Sequence, residues 1–269
     1  MFEHFSAGDG VLLGEAFVRD EVKFNLIHMI TGFEGNVRLK TPENTLVLAY
    51  SQGFRPWLWI SSEVSHSEKE TLIQELAEHL KDEELPGIIS EPDIARRFAE
   101  VFCQGKGTSF HTHLMLEVYH CPAVHKPINV KGHVVQASIE DAPLIAKFLA
   151  GFSEDAFGKP VDPKDMLSTA EGDAASGQMY LWVVDGTPVS MAKIAHRSPR
   201  HARINDVYTP RDQRKKGYAS AIVAAICERV LEERLIPMLY ADGHNPAANK
   251  VYQSIGFVNA GRMNDLKFD

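Results

Sequence analysis

Residues Val207–Val230 read "VYTPRDQRKKGYASAIVAAICERV". Pro210 resists helix. Four cations follow, at Arg211, Arg214, Lys215 and Lys216, and Gly217 then opens an apolar pattern. Ala219, Ile222, Val223, Ile226 and Val230 recur at helical spacing, which predicts a helix from Gly217 to about Glu233. A helix start carries unpaired amides and the positive end of the macrodipole, so it attracts anions, phosphates above all. Gly217 and the small Ala219 allow close approach of such a group to the backbone. Cations at a helix start are mildly unfavourable unless an anion compensates them. The stretch therefore suits a polyanionic ligand such as a pyrophosphate; spacing alone leaves a solvated cationic patch as the alternative.

Outward from this turn the second half of the chain reads as mixed α/β. Upstream lie a strand "ARINDVYT" and a hairpin "QMYLWVVDGTPVSMAKIAHR" turning at Asp185-Gly186. Before them come a strand "HVVQAS" and a helix "IEDAPLIAKFLAGF", with Ser138 and Asp141 as its capping box. Downstream follow a strand "PMLYAD", a short helix "NPAANKVYQSIGF" ended by Gly256, and a closing strand "VNAGRMNDLKF".

The stretch Tyr119–Val135, with two prolines and a glycine, is the linker candidate; it predicts one domain over 1–125 and another over 130–269. The first half predicts a helix in "EAFVRDEVKFNLIHMITGF" and strands either side of Gln52-Gly53. It continues with an amphipathic helix "SEKETLIQELAEHLKDEEL", a strand "GIIS", a helix "EPDIARRFAEVFCQG" and a long strand "FHTHLMLEVYH".

The whole chain has 269 residues and a formal net charge of −8. Acidic balance argues against nucleic acid as a partner. Three cysteines, Cys103, Cys121 and Cys227, suit a reducing compartment rather than a disulfide framework. The start lacks a signal pattern, and no apolar run approaches the ~20 residues of a membrane helix. A cytoplasmic protein without a membrane partner, monomer or homodimer, is expected. His111, His113, His120, Cys121 and His125 lack paired metal-site spacing, so no metal is expected. Neither a P-loop nor a G-x-G-x-x-G unit occurs.

"RKKGYA", Arg214–Ala219, resembles the R/Q-x-x-G-x-G/A signature of the GNAT superfamily of acyl-CoA N-acyltransferases. The strand "INDVYTP" before it, the strand "PMLYAD" after it and the segment "NPAANKVYQSIGF" strengthen the resemblance, which spans Val130 to about Lys267. It implies a GNAT fold for the C-terminal half. It also implies that Arg214, Lys215, Lys216, Gly217, Tyr218 and Ala219, with Ser220, wrap the pyrophosphate of coenzyme A. Val207, Tyr208 and Thr209 would pair with the pantetheine arm, and an amide there would polarise the thioester carbonyl. Asn245 and Asn249 match positions near that arm; helix capping and a solvated helix face are the alternatives. Tyr252 matches the thiolate-facing tyrosine, the candidate acid. Asp206 is the candidate base, or else a structural aspartate that orders the loop; His196 and His201 are further alternatives. Strict alternation puts Ile204, Asp206 and Tyr208 on one strand face.

The first half resembles a degenerate GNAT-like domain in pattern only and lacks the signature loop, so it is expected to wall the acceptor site without holding cofactor. The expected activity is acetyl-CoA-dependent transfer to a small-molecule amine, with a non-catalytic acyl-CoA-binding or sensor protein as the alternative. Carboxylates in "GFSEDAFGKPVDPKDM" favour a cationic acceptor unless that loop is merely solvated.

Overall fold

The computed structural model describes residues 2–6 and 8–269. The chain divides into two compact units, residues up to Val118 with Tyr240–Asn245 and Asn259–Asp269, and Tyr119–Leu239 with Pro246–Val258. The closing strand of the sequence thus groups with the N-terminal unit.

In chain order the first unit runs β1 (Glu3–His4), α1 (Glu15–Asp20), α2 (Leu26–Thr31), β2 (Val37–Lys40), β3 (Leu46–Tyr50), β4 (Trp57–Ile60), α3 (His66–His79), β5 (Gly87–Ser90), α4 (Pro92–Lys106) and β6 (Phe110–His120). Its strands lie in the order β1-β2-β3-β4-β5, followed by the closing strand Val258–Phe268 and then β6. One face packs Leu48, Leu58, Ile60, Ile88 and Leu266 against Ile73 and Leu76 of α3 and Phe98 of α4.

The predicted long helix at the start is two short ones, because residues 21–25 form a turn. Phe17, Phe24 and Ile27 are fully buried, and so are the polar Glu21 and Asn25, while Val22 and Leu26 are half-buried. The turn and the helix ends beside it carry a polar cluster. Asp20 accepts from Trp59 Nε1 at 3.1 Å, Lys23 pairs with Asp20 at 2.9 Å and Glu91 at 2.5 Å, and Glu21 lies 2.8 Å from His28.

The second unit runs β7 (His133–Gln136), α5 (Ala142–Phe157), α6 (Leu167–Ala175), β8 (Met179–Val184), β9 (Thr187–Arg197), β10 (His201–Tyr208), α7 (Tyr218–Glu232), β11 (Ile236–Asp242) and α8 (Pro246–Ile255); Val258–Phe268 is β12. Strand order is β11-β10-β9-β8-β7. β8 and β9 form the expected hairpin, with Asp185 (φ 48°) and Gly186 (φ 77°) in the left-handed region that a two-residue turn requires. The Ser138–Asp141 capping box is present ahead of α5. Helices α5 and α6 bury Ile145, Leu149 and Ala170 against Met179, Leu181 and Met191, while α7 packs against β8, β9 and β10.

Candidate active site

The site grows from two features of β10. First, β10 runs parallel to β11 only over His201–Ile236, Ala202–Pro237 and Arg203–Met238. Ile204, Asn205 and Tyr208 stay paired to β9, while among the described residues none of 204–208 is in register with β11, so that side of β10 is an open edge. Second, the strand bulges. Asn205 pairs with Lys193 and Tyr208 with Met191, so three steps on β10 oppose two on β9. Asp206 takes φ 50° at the bulge, a left-handed conformation that a short polar side chain tolerates.

The bulge corrects the face assignment from simple alternation. Ile204 pairs with Ile194, and both are buried. Lys193, next along β9, points to the opposite face. Asp206 reaches Lys193 Nζ at 2.9 Å, so its carboxylate lies on the Lys193 face, away from Ile204. Tyr208, opposite Met191, shares that face. Lys193 also holds both oxygens of Asp173 on α6 at 3.0 Å. Side-chain exposures of 18%, 18% and 13% for Lys193, Asp173 and Asp206 make this a nearly buried triad with one excess negative charge. Burial opposes the charge on Lys193, but Asp206 and Asp173 outweigh it and raise its pKa. Neither Lys193 nor Asp173 stands out in the sequence, because their partners come from different elements.

At the end of β10, Ser190 Oγ donates to Tyr208 O at 2.9 Å and lies 2.8 Å from Thr209 Oγ1. Arg214 Nε donates to Thr209 O at 2.9 Å. The carbonyls of Tyr208 and Thr209 are therefore engaged within the unit, while Val207 stays half-buried on the open edge. The turn that follows has a short 3-10 segment, Arg211–Gln213, then left-handed Lys215 (φ 64°) and Gly217 (φ 83°). α7 starts at Tyr218 without a side-chain cap. The amides of Tyr218, Ala219 and Ser220 in its first turn have no carbonyl four residues back within the helix. A β-carbon on Gly217 would meet Val130 Cγ2 at 2.8 Å, so at this left-handed position the turn packs against Val130 only with glycine.

The four cations divide. Arg211 Nε donates to Asp155 Oδ1 at 2.9 Å, and Arg214 Nη2 bonds the other oxygen of Asp155. Lys215 and Lys216 remain exposed, with Lys216 Nζ 2.9 Å from Gln213 Oε1. The segment around Asp155 held carboxylates that favoured a cationic acceptor. Here Asp155 and Glu154 face the turn's arginines, and Asp162 accepts from Lys164 N at 2.9 Å.

Tyr252 on α8 has its ring centroid 5.8 Å from Phe257 and 6.5 Å from Tyr119. The residue is half-buried, yet burial of the phenol pushes its pKa up to about 12. Asn249 is half-buried on the same helix; Asn245, exposed just before it, has its amide bonded to Asp242 O at 3.0 Å. His196 and His201, the alternative bases, sit toward the far end of the β9–β10 pair, His196 being 3.3 Å from Arg203 Nε. Among the described residues, no group of three or more His, Cys, Asp or Glu is arranged to hold a metal, and no helix is long and apolar enough to cross a membrane.

Residues 147–257 match the model described as the Acetyltransferase (GNAT) family, so this part of the chain is a GNAT domain. An acetyltransferase of the GNAT family from Colwellia psychrerythraea is similar over 100% of this chain and 98% of its own, with TM-score 0.59 and 12% identity. A GCN5-related N-acetyltransferase from Sphaerobacter thermophilus is similar over 100% and 95%, with TM-score 0.60 and 13% identity. A Drosophila protein gives TM-score 0.67 at 9% identity over 100% and 98%. These likenesses in fold span both halves of the chain. No curated protein sequence matches the chain significantly.

Proposed function

We propose that the chain is an acetyl-CoA-dependent N-acetyltransferase that moves an acetyl group to a primary amine of a small molecule, by direct attack in a ternary complex. The observation that carries the proposal is the open edge of β10 leading into the uncapped helix start at Gly217. A strand edge offers amide pairing to the pantetheine arm, and the cradle offers converging amides to the pyrophosphate. Gly217 lets the turn take its left-handed shape against Val130, which sets the direction of the amides that follow. Lys215 and Lys216 supply the charge, while Arg214 shapes the turn. An amide of the 204–208 edge polarises the thioester carbonyl. Asp206, directly or through a water, takes the proton from the attacking ammonium. As the N–C bond forms and the C–S bond breaks, Tyr252 gives its proton to the leaving thiolate, and the second proton that the nitrogen sheds on becoming an amide restores the tyrosine through solvent; a phenol with pKa about 12 is protonated throughout the neutral range.

The Lys193 bridge to Asp206 favours a second reading, a non-catalytic acyl-CoA-binding protein, because the candidate base already holds an ammonium. Calorimetric titration with acetyl-CoA tests the cofactor. Wild type should bind saturably and folded Gly217→Glu should not; equal affinities would sink the assignment. A panel of primary amines with free-thiol release as readout separates enzyme from binder.

A further inference from the structure

We infer that Asp155 is a positioning residue of the coenzyme A turn: one carboxylate on α5 holds the chain between β10 and α7 in the shape that presents its amides. The inference rests on the coenzyme A assignment above. Asp155 Oδ1 accepts from Arg211 Nε at 2.9 Å and Nη2 at 2.5 Å, and its second oxygen takes Arg214 Nη2. Arg214 in turn donates to Thr209 O at 2.9 Å and lies over the Tyr208 ring at 5.8 Å. A single side chain thus ties α5 to both ends of the Arg211–Gln213 segment and, through Arg214, to the end of β10.

The same face of α5 makes a second contact with β10. Gly151 lies one helical turn before Asp155, and a β-carbon there would meet Tyr208 Oη at 2.2 Å. The helix is therefore seated against the strand end at Gly151 and linked to the turn at Asp155. The turn needs such support. It carries left-handed Lys215, a conformation that persists in a non-glycine residue only when its surroundings hold it. The start of α7 lacks a side-chain cap that would do this locally. Burial pushes the Asp155 carboxyl up, but Arg211 and Arg214 outweigh it and keep it below its ordinary range.

This arrangement separates two roles among the four cations. Arg211 and Arg214 are structural, and only Lys215 and Lys216 face solvent free of acidic partners among the described residues. The contrary reading makes Asp155 an internal anion that competes with phosphate for the arginines. The two readings predict opposite signs.

Full-length Asp155→Asn should lose about tenfold in coenzyme A affinity by calorimetry, the scale of one lost charge-assisted contact. Its affinity for pantetheine, which lacks the pyrophosphate, should be unchanged by saturation-transfer NMR. Hydrogen exchange at residues 214–220 should quicken. Arg214→Gln removes the same clasp from its other end; it should reproduce the loss, and the double variant should add little to either single one. Tighter coenzyme A binding in Asp155→Asn would establish the competing anion and overturn the inference. Equal losses for coenzyme A and pantetheine would mark general damage and overturn it too, as would unchanged affinity in both variants. Failure of the wild type to bind coenzyme A would instead remove the cofactor assignment, and this inference with it.

Discussion

Gly217→Ala puts the least possible bulk at the centre of the cradle, and its cost follows from two local terms. At φ 83° the added β-carbon occupies the left-handed region, which costs an L-residue roughly 1–2 kcal/mol. The same carbon lies 2.8 Å from Val130 Cγ2, below any real contact, so Val130 must leave its rotamer at about 0.5–1.5 kcal/mol. Together they give roughly 2 kcal/mol, which lowers the melting temperature by about 4–8 °C at this size of folding unit. Relief of either strain by rotating the turn re-aims the amides of Tyr218 and Ala219. A change of about 1 Å there should weaken acetyl-CoA by roughly tenfold or more, since hydrogen bonds lose strength steeply with misalignment. Scanning calorimetry and titration calorimetry measure the two effects. Adding Val130→Ala, with the single Val130→Ala variant as reference, removes the clash but not the backbone term, and should restore about half of the lost stability. A Gly217→Ala protein with unchanged melting temperature and affinity refutes the account; so does a double variant that regains nothing.

Tyr252→Phe should lower kcat by about 10²–10⁴-fold with acetyl-CoA affinity nearly kept, because the phenol acts only as the thiolate develops; full turnover with an identified amine would exclude it as the acid. Its folded pKa of about 12 lies above the ordinary value near 10, so folding favours the neutral phenol: that contribution is intact below about pH 10 and is lost as the pH rises through 12. Tyrosinate absorbance should accordingly show a late phase that Tyr252→Phe deletes. Lys193→Met leaves Asp173 and Asp206 nearly buried without their cation and should destabilise the protein by about 3 kcal/mol in urea titrations, with Asp173→Asn in the same chain recovering part of it; stability equal to wild type would mean the triad is solvated. Calorimetry should give one coenzyme A per chain. In the first unit the start of α3, which follows β4, is already capped by Ser65 Oγ accepting from Glu68 N at 3.3 Å and carries Glu68 in its first turn, so a stoichiometry of two would contradict this expectation.

Local chemistry was enough to make the elements around the cofactor turn legible. Pro210, Gly217 and the apolar spacing to Val230 announce a strand end, a turn and a helix, and the structure has them at Tyr208, Arg211–Gln213 and Tyr218–Glu232. The Asp185-Gly186 hairpin and the Ser138 capping box were equally visible, because each rests on neighbours in sequence. The GNAT signature was legible for the same reason: its spacing lies within one strand-turn-helix unit. What sequence spacing misjudged depends on partners far along the chain. The helix expected across residues 21–25 breaks where Lys23 reaches Glu91. The face of Asp206 was set by a bulge whose register belongs to β9 as much as to β10. Arg211 and Arg214 read as ligand-binding charge, but a carboxylate 56 and 59 residues upstream engages both. A cation in a sequence is a charge awaiting a partner, and burial and distance, which only the tertiary structure provides, decide whether that partner is a ligand or the protein itself.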